Sequence, residues 1–200
     1  QRIPRANVLI QNGLIADVGP SVAAPPGATN IDATGKFVYA GMIDSYTPIG
    51  LNEIGGINTM NMRSEIGEFN PHMRAIVAIN TGTEMMGVTR ANGVTTAITA
   101  PDGGVISGQA ALINMDGWTW EDMSVNPSAG FVINYPSASG GRGFGGGRRG
   151  PQLSPEERER RATEQIAELM GELGVARAYD LARSGGLESE DLIYEAMRPL

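Results

Sequence analysis

The stretch that decides the fold is KFVYAGMID, residues 36–44. Its apolar side chains follow one another without the alternation expected of a strand that has one face in water. Continuous apolar runs of this length are typical of parallel strands that are buried on both faces. The run follows the turn residues DATG at 32–35 and ends at Asp44, after which the sequence becomes more polar. It therefore predicts an α/β fold in which this segment is a buried strand of a parallel sheet.

The residues before this strand predict a smaller, β-rich part. Residues 7–19, NVLIQNGLIADVG, contain two short apolar runs on either side of Gln11-Asn12-Gly13. Asn-Gly between alternating apolar residues is the strongest short signal for a β-hairpin. We expect residues 1–36 to form the β-rich part and residues 37–200 to form the α/β part.

The residues after this strand predict loops, helices and strands in alternation. Residues 49–71 are rich in Gly, Asn and Glu without periodicity, which indicates a long loop. Apolar residues between 71 and 91, interrupted by TGT, predict two short helices. Further strands are expected at 94–100 and 131–135, so the sequence predicts about three buried parallel strands.

The C-terminal part predicts two helices. Ser154-Pro155-Glu156-Glu157 has the pattern of a helix start, with Ser as the N-cap and Glu three residues later as a capping box. We expect this helix to end at Ser184-Gly185-Gly186 and a last helix to open at Ser189. Residues 137–150, SASGGRGFGGGRRG, have a low-complexity composition that predicts a flexible loop.

Composition narrows the class of protein. The 200 residues include one His and no Cys, so a thiolate zinc site or a histidine-rich catalytic metal site is excluded for this chain. The net charge of -7 argues against a nucleic-acid partner. No apolar run approaches the roughly 20 residues that cross a bilayer, so we expect no membrane span. Gln at position 1 and the lack of Cys favour an exported, periplasmic protein, with a cytoplasmic location as the alternative.

Three stretches together resemble the amidohydrolase superfamily, and within it the imidazolonepropionase-like branch. They are residues 6–19 with 31–44, residues 65–80 (EIGEFNPHMRAIVAIN), and residues 91–123, which begin ANGVTTAITAPDGG. The resemblance implies a small composite β-sandwich, to which residues 1–36 contribute, followed by a metal-dependent TIM-like (β/α)8 barrel. It also implies hydrolysis of carbon–nitrogen bonds other than peptide bonds.

The barrel that the resemblance implies would be incomplete in this chain. A (β/α)8 barrel takes about 250 residues, so residues 37–200 would supply only its first strands and helices. The remainder of the polypeptide, or a homologous subunit, is expected to complete the barrel. We also expect the protein to be an oligomer.

The metal motif of the resembled family is replaced in this chain. In that family Gly-(Leu/Met)-Ile-Asp is followed by a His-X-His pair that holds the metal, whereas here Gly41-Met42-Ile43-Asp44 is followed by SYTP. Tyr46 and Pro48 stand at the two histidine positions. Proline has no ligand atom, and a neutral phenol is a poor substitute for imidazole. We therefore expect no metal from this chain, and a divalent metal such as zinc only if ligands beyond Leu200 suffice.

Two functions stay open at this point. The first is a hydrolase of carbon–nitrogen bonds that has lost its first-strand metal ligands. The second is a pseudoenzyme, a non-catalytic structural or binding subunit that pairs with an active relative or with the rest of its own chain. Asp44 is the one candidate catalytic residue, because groups at the carboxyl end of a barrel strand often act in catalysis; the alternative is that it braces the following loop.

The remaining motifs favour structural roles. A single His72 is typical of a surface or structural histidine, and carboxylates in a loop are usually solvated. The glycines after the strand at 94–100 lack the spacing of a phosphate-binding loop and favour a tight turn. Two nearby tryptophans favour core or interface anchors over a ligand pocket. The Arg-Gly tract could bind single-stranded RNA, but its acidic context favours a loop insertion. The residues concerned are Glu53, Glu65, Glu68, Gly103, Gly104, Gly108, Trp118, Trp120, Arg142, Arg148 and Arg149.

Overall fold

The computed structural model describes residues 3–53, 61–136 and 153–198. The chain divides into two compact units, Gln1–Ala40 and Gly41–Leu200. The Arg-Gly tract at 137–150, which the sequence predicts to be a flexible loop, lies outside the described residues.

The first unit contains the predicted hairpin. Strands β1 (Asn7–Gln11) and β2 (Leu14–Gly19) pair in antiparallel fashion. Asn12 and Gly13 both have positive φ, 53° and 76°, which is the backbone that a two-residue Asn-Gly turn requires. A sandwich needs a second sheet packed on the first, and the described residues of this unit form one two-stranded sheet. The hairpin is confirmed, and the β-sandwich stays a prediction.

The second unit is built on a four-stranded mixed sheet. Its strands are β3 (Met42–Thr47), β4 (Val94–Thr99), β5 (Ile106–Asn114) and β6 (Ser124–Ile133), in the order β3-β4-β5-β6. Strands β3 and β4 are parallel, whereas β4 with β5 and β5 with β6 are antiparallel. The three strands that the sequence predicts, found as β3, β4 and β6, run in the same direction, but they do not form a parallel sheet, because β5 lies antiparallel between β4 and β6. The reason is the short connection at residues 100–105, since a crossover between parallel strands takes a dozen or more residues.

The predicted strand at 36–44 is displaced and exposed. Strand β3 begins only at Met42, and the apolar residues before it are not in a strand. Met42 and Ile43 are 56% and 66% exposed, because β3 is an edge strand that pairs with β4 alone in the described sheet. The apolar run therefore predicts a strand in this region, but the predicted burial on both faces is wrong for the described residues. The (β/α)8 barrel that would bury it stays a prediction.

Helices follow the predicted pattern closely. A 3-10 turn at Ala75–Ala78 and helix α1 (Glu84–Ala91) confirm the two short helices, and a four-residue helix α2 (Trp120–Met123) precedes β6. Helix α3 (Pro155–Ser184) starts with the predicted capping box, in which the Glu157 N–H donates to Ser154 Oγ at 3.2 Å. Helix α4 (Leu192–Met197) is capped by Asp191 rather than Ser189. The Asp191 carboxylate accepts the N–H of Ile193, and this contact fixes where α4 begins.

Two apolar clusters hold the second unit together. One packs the 3-10 turn and α1 against β4 and β5, and its fully buried side chains include Leu51, Ile76, Ile113 and Met123. The other packs α3 and α4 against the start of β5, through Val105, Ile106, Leu169, Ala176 and Met197. Burial of each large aliphatic side chain contributes about 1.5–3 kcal/mol. These clusters fix the sheet whose edge carries the site described next.

Candidate functional site

A pocket lies where β3 and β4 end. Because the two strands are parallel, their carboxyl ends meet at one edge of the sheet, and the Ala100 N–H donates to the Thr47 carbonyl at 2.9 Å. Proline follows each strand closely, at positions 48 and 101, and each proline lacks the N–H that would extend the ladder. The pocket is lined by Tyr46, Pro48, Arg63, Ala100 and Asp102. Carboxyl ends of parallel strands are the usual place for ligand chemistry in α/β folds.

An ion pair forms one wall of this pocket. Arg63 Nη2 donates to Asp102 Oδ2 at 2.7 Å, and the two side chains are 15% and 28% exposed. The same two residues are joined through the backbone, where the Asp102 N–H donates to the Arg63 carbonyl at 2.6 Å. Asp102 Oδ1 accepts the N–H of Gly103 at 2.8 Å. The pair is therefore held by three contacts besides general packing.

Sequence reasoning missed both residues of the ion pair. The position of Asp102 could have indicated a site residue, because Asp102 lies at the end of a predicted strand, as Asp44 does. No sequence feature marks Arg63 as a site residue, because it lies in a loop without periodicity, 39 residues away from Asp102 along the chain. Only the folded chain brings the two side chains together.

Tyr46 lies in the same pocket as a neutral phenol. Burial raises the pKa of its hydroxyl above the ordinary value of 10.0, the nearby Asp102 carboxylate raises the pKa further, and Arg63 offsets part of the rise. At neutral pH the hydroxyl is therefore protonated and able to donate a hydrogen bond. Pro48 lies beside it, so the two positions where the resembled family has histidines face this pocket.

The side chains of the pocket do not fit a divalent metal. Asp102 is the one carboxylate among the residues that line it, and the guanidinium of Arg63 already lies on that carboxylate. A guanidinium cation at this distance repels a second cation. Elsewhere in the described residues, no group of three or more His, Asp or Glu side chains converges.

Asp44 does not line the pocket. Its Oδ1 accepts the N–H of Tyr46 at 3.2 Å, which is the contact expected of a residue that braces the end of the strand. A catalytic role for Asp44 stays a prediction.

The other sequence candidates are spread over the second unit. His72 is exposed, as are Glu65 and Glu68. Glu53 Oε2 accepts the hydroxyl of Thr83 at 2.7 Å, next to the start of α1. Glu53 is therefore engaged in a contact of the fold.

The glycines after β4 serve a close approach of two chain segments. Gly104 has φ 63°, and a Cβ there would lie 2.7 Å from the Gly67 carbonyl oxygen and 2.8 Å from that of Glu68. A Cβ on Gly108 would lie 2.6 Å from the Met73 oxygen. Backbone atoms therefore occupy the space that a phosphate would need. The expected tight turn is present, and the chain after it runs against the segment at 67–73.

The two tryptophans differ in their surroundings. Trp120 packs against the core cluster of α1, β4 and β5, whereas Trp118 is 88% exposed. Neither lines the pocket at the ends of β3 and β4.

Among the described residues, no helix has the length and apolar character needed to span a membrane.

Comparison with known proteins finds similarity to amidohydrolases in fold and in short stretches of sequence. No family model matches the chain. An amidohydrolase from Thermotoga maritima MSB8 has the same fold over 94% of this chain, with a TM-score of 0.75 and 24% identity, and the match covers 49% of that protein's chain. The structure is therefore similar to about half of an amidohydrolase.

Curated relatives match over short stretches. A dihydroorotase of Trichlorobacter lovleyi is 42% identical over 40 residues, which are 20% of this chain and 9% of that protein. Dihydropyrimidinase 2 of Caenorhabditis briggsae is 30% identical over 82 residues, which are 41% of this chain and 14% of that protein. Each match spans a small part of the relative's length. The imidazolonepropionase-like branch stays a prediction.

Proposed function

We propose that this chain is part of an amidohydrolase that opens a carbon–nitrogen bond in a small cyclic amide. The observation that carries the proposal is the pocket at the carboxyl ends of β3 and β4, in a chain that shares its fold with an amidohydrolase over 94% of its length. The names dihydroorotase and dihydropyrimidinase of the partial relatives point to ring amides as the substrate class. The reaction adds water to the ring carbonyl, breaks its bond to nitrogen and leaves the proton on that nitrogen.

The described residues would bind the substrate in this reaction. Tyr46 and Arg63 are hydrogen-bond donors in the pocket, and Asp102 is an acceptor. Because the pocket does not fit a divalent metal, any zinc used in hydrolysis would be held by ligands outside the described residues, including those beyond Leu200. We also propose that the remainder of the polypeptide, or a homologous subunit, pairs with the edge of β3. The periplasmic location expected from the sequence stays part of the same proposal.

The proposal is tested on the complete gene product. The purified protein is incubated with 5,6-dihydrouracil, dihydroorotate and hydantoin, and ring opening is measured by liquid chromatography with mass detection. We expect turnover of at least one ring amide and none of a dipeptide, which serves as the control for ordinary peptidase activity. If none of the three rings opens, with or without added zinc, the hydrolase function is contradicted.

A second candidate is a non-catalytic binding subunit. The observation that favours it is the Arg63–Asp102 ion pair, which lies beside Tyr46 and Pro48 at the positions of the family's metal ligands. A ring amide that binds to the complete protein and is never turned over, in a protein that contains no stoichiometric metal, would support this candidate. Turnover that depends on bound metal would exclude it.

A further inference from the structure

Asp102 follows the end of β4, and its carboxylate is partly removed from water. The side chain is 28% exposed, and the two residues before it, Ala100 and Pro101, are buried. A carboxylate in such surroundings needs a cation as well as hydrogen bonds, because a partly buried charge without a partner is costly. The cation can be a metal ion or a basic side chain. In this structure it is the guanidinium of Arg63, 2.7 Å from Asp102 Oδ2.

The backbone holds Arg63 in position for this contact. The Met62 N–H donates to the carbonyl of Leu51 at 2.7 Å, and Leu51 is 1% exposed. The Arg63 N–H donates to Asn61 Oδ1 at 3.2 Å, and the Asp102 N–H donates to the Arg63 carbonyl at 2.6 Å. The loop is therefore fastened to the core on one side and to the end of β4 on the other. The Arg63 side chain is 15% exposed, so its charge is part of the folded structure and not a surface charge.

Both oxygens of the Asp102 carboxylate already have donors. Oδ2 accepts from Arg63, and Oδ1 accepts the N–H of Gly103 at 2.8 Å. A divalent metal at this carboxylate would have to displace the guanidinium or lie beside it, where the two cations repel each other. Tyr46 and Pro48, which line the same pocket, offer a neutral phenol and no ligand atom. The positive charge that a metal would supply is therefore already present in this chain.

We propose that Arg63 is a built-in cation that takes the place of a divalent metal at the carboxyl ends of β3 and β4. Its guanidinium neutralises Asp102, holds the segment at 61–63 against the end of β4 and keeps a metal ion out of the pocket. The inference concerns the electrostatics of this pocket and does not rest on the proposed function. A metal held by ligands outside the described residues is compatible with it.

Zinc affinity tests the exclusion of a metal. The complete protein is treated with a chelator, dialysed and titrated with zinc by isothermal titration calorimetry, first as the Tyr46→His, Pro48→His double variant and then with Arg63→Gln added. We expect the added substitution to tighten zinc binding by about tenfold or more, because it removes the repelling charge and leaves the Asp102 carboxylate without its cation. A factor of ten corresponds to about 1.4 kcal/mol. The parent protein, titrated in the same way, accounts for zinc sites elsewhere in the polypeptide.

Two variants in the same double background serve as controls. Arg90→Gln removes one positive charge from the ion pair with Asp116, whose residues do not line the pocket, and should leave zinc affinity unchanged. Arg63→Lys keeps a positive charge beside Asp102 and should not tighten zinc binding. The Arg63→Lys comparison stands even if the Arg63→Gln variant folds poorly.

Urea denaturation of the complete protein tests whether Arg63 holds the two segments together. Arg63→Gln alone should lower the midpoint of the transition, because it leaves the Asp102 carboxylate partly buried without a cation. Adding Asp102→Asn should restore part of the loss, since the unpaired charge is then gone.

Four results would overturn the inference: zinc affinity that Arg63→Gln leaves unchanged in the double variant, zinc affinity that Arg63→Lys or Arg90→Gln raises as much, an Arg63→Gln protein as stable as the parent, or a further loss of stability when Asp102→Asn is added. The inference and the proposed function can fail separately. Absence of ring opening by the unmodified protein contradicts the hydrolase and leaves this inference standing. Unchanged zinc affinity contradicts this inference and leaves the hydrolase standing.

Discussion

Gly104→Ala tests whether the two loops that carry the pocket are held together as described. Gly104 has φ 63°, and an added Cβ would lie within 3 Å of the carbonyl oxygens of Gly67 and Glu68. Those atoms are backbone, so they cannot move aside as a flexible side chain would. The segment at 61–69 would have to move away from the segment at 102–106.

The cost can be worked out from the contacts that this movement breaks. A left-handed backbone costs a residue other than glycine about 1–3 kcal/mol. The N–H groups of Val105 and Ile106 both donate to the Glu68 carbonyl, at 2.7 and 2.9 Å, and each such bond contributes about 0.5–1.5 kcal/mol. The smaller entropy of the unfolded chain with Ala offsets about 0.4–1 kcal/mol. We expect the free energy of unfolding to fall by about 2–5 kcal/mol in total.

The measurement is urea denaturation of the complete protein, followed by tryptophan fluorescence and read as the midpoint and slope of the transition. Gly87→Ala is the matched control, because Gly87 lies in α1 with no atom within 4 Å of an added Cβ. That variant should gain about 0.5–1 kcal/mol, since Ala is favoured over Gly in a helix. A Gly104→Ala protein as stable as the parent would refute the close approach of the two segments, and with it the placement of Arg63.

Three further predictions concern the metal positions, the C-terminal helices and the core. The Tyr46→His, Pro48→His double variant should bind more zinc than the parent, by metal analysis of the complete protein, because it restores the two imidazoles that the family resemblance implies. A hydrogen bond from Arg183 is the largest of the causes that lower the pKa of Glu195 below its ordinary 4.5. The ionised carboxylate therefore stabilises the packing of α4 fully above pH 4.5. This stabilisation should be lost as the pH falls through the lowered pKa. Tyr179 of α3 and Tyr194 of α4 lie with their ring centroids 5.6 Å apart, and the near-ultraviolet circular dichroism of this pair measures the loss. Leu169→Ala should cost about 2–5 kcal/mol in urea denaturation, because the side chain is 5% exposed in the cluster of α3 with β5.

Each of these three has a control. The single variant Tyr46→His should bind less zinc than the double variant, and stoichiometric zinc in the parent held by Tyr46 or Asp102 would contradict the metal prediction. Glu195→Gln should remove the pH dependence of the dichroism signal, and an unchanged profile would exclude this carboxylate as its origin. Met170→Ala, at a side chain that is 63% exposed on the same helix, should change stability little. Equal costs at 169 and 170 would contradict the packing of α3.

Local signals in the sequence predicted local structure well. The Asn-Gly turn of the first hairpin and the capping box of α3 each depend on residues within a few positions of one another, so the sequence contains all the information needed. Strand direction depends instead on how long each connection is and where the next strand begins. The β-branched run at 94–99 is a strand as expected, but the sequence does not mark Ile106 as the start of the next strand, only seven residues after Thr99. The sequence therefore predicted a parallel sheet where the structure has a mixed one.

The pocket illustrates why a site is harder to predict than a fold. Reasoning from the resembled family's motif led to Tyr46 and Pro48, because the motif fixes their positions at the end of one strand. Asp102 and Arg63 lie on segments that the motif does not cover, and their pairing depends on the close approach that Gly104 permits. The motif therefore identifies only two of the residues that line the pocket. Two of the others are a paired cation and anion, Arg63 and Asp102, which the sequence shows as two unrelated charges 39 residues apart.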